Sequence, residues 1–252
     1  MNENPNSSSP WWQGARARNV AHKPALVAPS ALAKPGDAFL IITEGKVTEP
    51  AYFDQLRTNL HLGIVDIRIQ PGEAPDPRLV VKTAAREAKE HHRLFKKGKL
   101  PNTAPARFDH VWAVVDTDVA VREGFWNEVV QLAQAHKVTL APSTPCIEFW
   151  LLLHLCYNTR TDLWDGDRAK RALAAEVKMK LNLDYSTEAK KAKAAIAKLL
   201  NHWPEAVRNA GRVRQYHASA GTTEPANPST EVDRLVRAMN DAALPHNRRH
   251  IP

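Results

Sequence analysis

Cysteine is nearly missing. Cys146 and Cys156 are the only two in 252 residues. With no C-x-x-C spacing they supply neither a zinc site nor a disulfide framework. Two free thiols in a reducing compartment is the simpler reading. Long hydrophobic runs are missing as well. None approaches the roughly 20 residues that span a bilayer. The longest, CIEFWLLLHLC at 146–156, is broken by Glu148 and His154. The opening MNENPNSSSPWWQG lacks the basic start and apolar stretch of a secretory signal. No membrane association and a cytoplasmic location are therefore expected. Several catalytic signatures are absent too. EGKVTE at 44–49 does not fit the P-loop frame. No G-x-S-x-G elbow and no H-E-x-x-H helix occurs.

What is present is an ordinary globular balance with a basic surplus. Apolar residues make up 43% and charged residues 25%, as in a domain that buries a full core. Lys and Arg outnumber Asp and Glu by 35 to 27, a formal charge of +8. That surplus favours anionic partners, nucleic acid first. Residues 1–36, rich in Asn, Ser, Pro and Ala, read as a flexible tail that carries Trp11 and Trp12. From 39 onward strand and helix patterns alternate. FLIITE (39–44), IVDIRIQ (64–70), HVWAVVDTD (110–118) and VTLAPS (138–143) read as strands. The segments 48–60, 76–99, 122–137 and 145–156 read as helices, with Thr48 as the cap of the first. This alternation predicts an α/β domain over 37–160, a parallel sheet covered by helices on both faces. Residues 161–252 turn helical, with no further strand signal, and form a helical extension.

The acidic residues carry the chemistry. Asp116 and Asp118 close the third strand two positions apart. Strand alternation sends both to one side. Two carboxylates that close repel unless a cation balances them. Oxygen ligands without His or Cys suit Mg²⁺ or Mn²⁺. The alternative is that one aspartate caps the next helix and the other is solvated. In the doubly wound order 2-1-3-4, strands one and three are neighbours, and ligands bind in the crevice at their carboxyl ends. Glu44 ends strand one, so it joins the aspartates there, with Gly45 letting the chain turn close to a ligand. Glu148 stands alone among apolar residues at the start of the helix after strand four. It is either a fourth member of the site or a structural partner of the helix dipole. A capping box does not fit, because Pro145 at the first helical position makes Thr144 the cap. VVDTDVA is also similar to the nucleophile motif of haloacid-dehalogenase-type phosphatases. That motif normally opens the first strand, however, whereas here a strand and two helices precede it.

Four stretches together resemble the RloB-like family: EGKVTEPAYF (44–53), VWAVVDTD (111–118), STPCIEFWLLLH (143–154) and NPSTEVDRLV (227–236). The first two match the general Toprim signature; the latter two look specific to the RloB group. Val119 follows the D-x-D, where the family often has another acid or an aromatic. The resemblance implies a Toprim-like fold and a Mg²⁺-dependent nuclease of phage-defence loci. It also implies a partner ATPase of the ABC type encoded nearby.

These readings give a mechanistic expectation. Asp116 and Asp118 hold the metal, and Glu44 binds it or acts as general base. Glu148 helps with a second ion or orients the ligands, and Thr48 and Glu49 support them. Lys46, beside Glu44, meets a phosphate. Arg86, Arg93, Lys96 and Lys97 on the second helix, together with basic clusters in the extension, are candidates to hold an RNA or DNA backbone. A solvated helix face is the alternative for those four. Two other functions stay open: a catalytically silent nucleic-acid-binding or sensor subunit, and a phosphatase-like hydrolase.

Overall fold

The computed structural model describes residues 36–62, 67–72, 75–186, 188–223 and 225–251. The proposed tail, with Trp11 and Trp12, lies outside them apart from Gly36. Four strands form the parallel part of the sheet: β1 (Phe39–Thr43), β2 (Ile67–Pro71), β3 (His110–Asp116) and β4 (Thr139–Thr144). A two-residue strand, β5 (Ser229–Thr230), adds antiparallel to β4. The order is β2-β1-β3-β4-β5. This is an α/β fold with a mixed, mostly parallel sheet.

The period of two along each strand assigns the two faces. Phe39, Ile41, Trp112, Val114 and Ala141 enter one core. Leu40, Ile42, Ala113, Val115 and Leu140 enter the other. Both sets are buried, which is why the strands read as continuous apolar runs. The second core is the smaller. It is covered by α2 (Pro77–Lys96), the short α3 (Asp118–Arg122) and α4 (Trp126–His136). α2 starts cleanly: Asp76 caps it through Oδ1, which accepts from the Arg78 amide at 2.8 Å, and Pro77 stands at the first position.

The larger core lies under α1 (Thr48–Asn59), α5 (Ile147–Leu152) and the C-terminal helices α6 (Gly166–Leu181), α7 (Ala189–Leu199), α8 (Trp203–Ser219) and α9 (Val232–Ala242). Residues 161–251 therefore share one core with the strands and contribute β5 to the sheet. Every side chain of α5 is buried. Full burial of a Leu, Ile or Phe contributes about 1.5–3 kcal/mol each, so α5 is a principal anchor of this face. In α9 the buried Val232, Leu235, Val236 and Met239 follow the i, i+3, i+4, i+7 spacing of an amphipathic helix. Arg214 of α8 fixes its start with a bidentate pair to Asp233, at 2.6 and 2.7 Å.

Several local expectations need correction. The third strand ends at Asp116, and α3 begins two residues later. β5 supplies the strand that the C-terminal pattern did not reveal. Thr48 is the first helical residue of α1 rather than its cap; Val47 holds the cap position. Cys146, not Thr144, precedes α5. Both cysteines are free. Among the described residues no helix is long and apolar enough to cross a membrane.

Candidate functional site

The site is built where β1 and β3 lie side by side at the switch point of the sheet. Past the end of β1 the chain still follows its neighbour: the Glu44 amide donates to the Val114 carbonyl at 3.0 Å. The Glu44 side chain then turns to β3, and its Oε2 accepts from the Asp116 amide at 3.2 Å. Gly45 follows, and its amide donates to Glu49 Oε1 at 2.7 Å. A β-carbon at Gly45 would fall 2.2 Å from Glu49 Oε2. The glycine is there because no side chain fits between the turn and this carboxylate. On the far side, Asp116 Oδ1 accepts from the Ile147 amide at 2.9 Å, tying β3 to the first turn of α5. Glu148, the next residue of that turn, is buried, and its Oε1 accepts from the Tyr185 hydroxyl at 3.3 Å.

Glu44, Glu49, Asp116 and Glu148 line one cleft of about 280 Å³, with Lys46 and Lys170 on its walls. The acids are uncomfortable there. Burial pushes the Glu44 carboxyl up to about 7. The Asp116 amide opposes this, while the charges of Glu49, Asp118 and Asp76 add to it. Burial also raises Asp116 well above the usual carboxylate range, and the charges of Glu49, Glu44 and Glu148 push further. Glu49 rises for the same first reason, desolvation, with Glu148 adding to it and the Gly45 amide and Lys170 opposing. Burial works against the charge on Lys170, yet its titration still moves up, because Glu148, Cys146, Asp167 and Asp116 surround it. This is the signature of desolvated like charges gathered around too little positive charge.

The residues expected from sequence divide into three groups. Glu44, Asp116, Glu148, Thr48, Glu49 and Lys46 all line the cleft. Asp118 does not. The strand has ended and Thr117 is in a helical conformation, so Asp118 opens α3. Its Oδ1 accepts from the Val119 amide at 2.7 Å, and it reaches Glu44 only through its charge. Arg86, Arg93 and Lys96 lie along α2 and Lys97 caps its end; the helix starts beside the cleft and runs back along the sheet. Arg93 sits about 25 Å along that helix from its cap, paired with Glu90, and Arg86 pairs with Glu87 at 2.9 Å. The structure does not bring these four to the acids. Two residues of the site were not visible in the sequence: Lys170, which lines the cleft, and Tyr185, which donates to Glu148. Lys170 of α6 and Tyr185, just beyond α6, arrive through helix packing, and no local motif marks either.

The donor set is all oxygen, two aspartyl or glutamyl side chains on strand ends and two on helix starts, which suits a hard divalent cation. As they stand, no three His, Cys, Asp or Glu side chains among the described residues are grouped to hold an ion. The cleft thus gathers carboxylate oxygens without, among the described residues, a preformed set of ligands. No curated protein and no solved structure matches the chain. A family model, described as RloB-like protein, does match, over residues 39–239, a span that takes in every acid of the cleft together with Lys170 and Tyr185. The chain belongs to the RloB-like protein family.

Proposed function

We propose that this protein is a Toprim-type nuclease that hydrolyses nucleic-acid phosphodiesters with Mg²⁺ or Mn²⁺, and that it serves anti-phage defence together with an ABC-type ATPase. The observation that carries this reading is the approach of Glu44 Oε2 to the Asp116 amide at 3.2 Å. It joins two acids 72 positions apart at the one edge of the sheet where α/β folds bind ligands. The raised titration of both is what a cation would relieve.

Asp116 and Glu44 are the residues to hold the metal, with Glu148 facing them from the start of α5. A bound divalent cation supplies polarisation of the phosphoryl oxygen and a more acidic water. The chain's own groups do the rest. Where Glu44 is not taken up by the ion, it is instead placed to take a proton from an attacking water. Tyr185 holds Glu148 in one orientation. Glu49 is kept by the Gly45 amide and backs the turn that carries Glu44. Lys46 and Lys170, both lining the cleft, offer positive charge to the phosphate.

The test is direct. Purified protein, alone and with its co-encoded ATPase, is incubated with RNA and DNA in Mg²⁺ or Mn²⁺. Cleavage is expected, and it should vanish in Asp116→Ala while circular dichroism stays native. Full cleavage by the folded Asp116→Ala protein would sink the proposal.

A further inference from the structure

Five tryptophans lie among the described residues, and four are buried: Trp112, Trp126, Trp150 and Trp203. Trp164 is the exception, 58% exposed. It precedes Asp165, the cap of α6. Its backbone carbonyl accepts from Asn227 Nδ2 at 3.2 Å, which ties the segment to the loop before β5. The Arg168 guanidinium lies over the indole, 5.0 Å from the ring centroid. A large flat ring is thus held in place at the surface with an arginine beside it.

Its position gives this meaning. A β-carbon at Gly166, two residues on, would sit 3.6 Å from Asp118 Oδ2 and from Cys146 Sγ, so the start of α6 rests against the rim of the acid cleft. Lys170 is one turn further along the face that carries Gly166, and it lines the cleft itself. From Gly166 to Lys170 the helical rise is only about 6 Å, and Trp164 stands two residues before Gly166. An exposed aromatic ring with an arginine over it thus stands beside the helix start that borders the cleft, in a protein of net charge +8. Aromatic rings with interleaved cations bind nucleic acid by stacking unpaired bases while the cations meet phosphates. A base paired in a duplex keeps its faces inside the stack and gains nothing from such a ring.

We infer that Trp164, with Arg168 over it, forms a platform beside the cleft that stacks an unpaired base of a single strand bound there. This rests on the proposal that nucleic acid is the substrate, and it narrows that substrate to single-stranded or looped segments.

Binding is measured by fluorescence anisotropy in EDTA, so that no cleavage intervenes. The probes are labelled single strands of about 12 nucleotides, RNA and DNA, and the duplexes of the same sequence. Trp164→Ala should weaken single-strand binding about 10-fold or more, Trp164→Phe by less than about 3-fold, and duplex binding should not change. Arg168→Ala should lower the salt dependence by about one ion. A Trp164→Ala protein that binds single strands as the unsubstituted chain does overturns the inference. So does an unsubstituted chain that binds no single strand. The two proposals fail separately. Trp164-dependent binding without cleavage in Mg²⁺ leaves the platform standing and removes the nuclease. Cleavage lost in Asp116→Ala, with binding indifferent to Trp164, does the reverse.

Discussion

Two buried polar centres flank α5, and they are built on opposite principles. Beyond its last turn, His154 is wholly buried against Tyr52. The Tyr52 hydroxyl and His154 Nε2 are 3.1 Å apart, and His154 Nδ1 is 3.1 Å from the Trp150 carbonyl. That carbonyl accepts, so Nδ1 carries the proton and Nε2 accepts from the tyrosine. Burial lowers the histidine to about 3, so it is neutral and every polar atom has its partner. At the other end, Glu148 enters a cleft where three further acids face two lysines, and burial lifts Glu44, Glu49 and Asp116 together. The first centre is complete as it stands and contributes to the fold. The second works against the fold unless positive charge arrives. A polar cluster that costs stability is maintained for what it does, not for what it holds together.

Substitutions should therefore act oppositely at the two centres. The largest effect is expected from Glu44→Gln, which should slow cleavage by about 10²- to 10⁴-fold. Because it removes a desolvated charge, the melting temperature at pH 8 in EDTA should hold or rise. A clear fall in melting temperature would show that the glutamate is structural after all.

Tyr52→Phe is the counterpart. It strips His154 Nε2 of its donor in a buried site, and urea denaturation should show a loss of about 1–3 kcal/mol. Nuclease activity of the remaining folded protein should not change.

Gly45→Ala sits between these cases. The new methyl must displace the Glu49 carboxylate from the Gly45 amide. The obstacle is the end of a flexible side chain, so the expected cost is about 1 kcal/mol. Activity should fall further than that figure suggests, because the turn carrying Glu44 shifts with it.

The smallest effect is a tilt with pH. Glu44 is raised from 4.5 to about 7 on folding. Its contribution to stability is complete below the unfolded value and is lost as pH climbs through 7. His154 runs the other way: its contribution is complete above 6.5 and is lost as pH falls toward 3. Between pH 6.5 and 8 the acids act alone, so in EDTA the melting temperature should decline across that window. Glu44→Gln should flatten the decline. Added Mg²⁺ should raise the melting temperature more at pH 8 than at pH 6. A melting temperature that rises from pH 6.5 to 8 in EDTA would contradict the assignment of Glu44.

The frame of the site is legible in the sequence because it follows from topology. Four strand patterns with intervening helices imply the order β2-β1-β3-β4, and that order places the ends of β1 and β3 together. Glu44 and Asp116 then meet without any knowledge of side-chain packing. Glu148 is legible for another reason: a lone carboxylate in an apolar run has few explanations. Asp118 shows where period-two reasoning stops, since it holds only while the strand lasts, and β3 ends at Asp116. Lys170, Tyr185 and Trp164 are not legible at all. Their placement depends on how α6 packs on α5, a contact between helix faces that no motif records. β5 escapes because two residues carry no period.

β5 has a consequence in time. It lies beside β4, where the Ser143 and Thr230 hydroxyls are 2.9 Å apart, and α9 follows it at once. A polypeptide leaves the ribosome amino end first, so Glu44 and Asp116 emerge long before the segments that border them. Until residues 229–242 appear, β4 presents a bare edge, and its hydrogen-bonding groups wait for a partner. Lys170 and Tyr185 also emerge after the acids of β1 and β3, though before β5. A partly made chain thus carries the acids before the residues that border them.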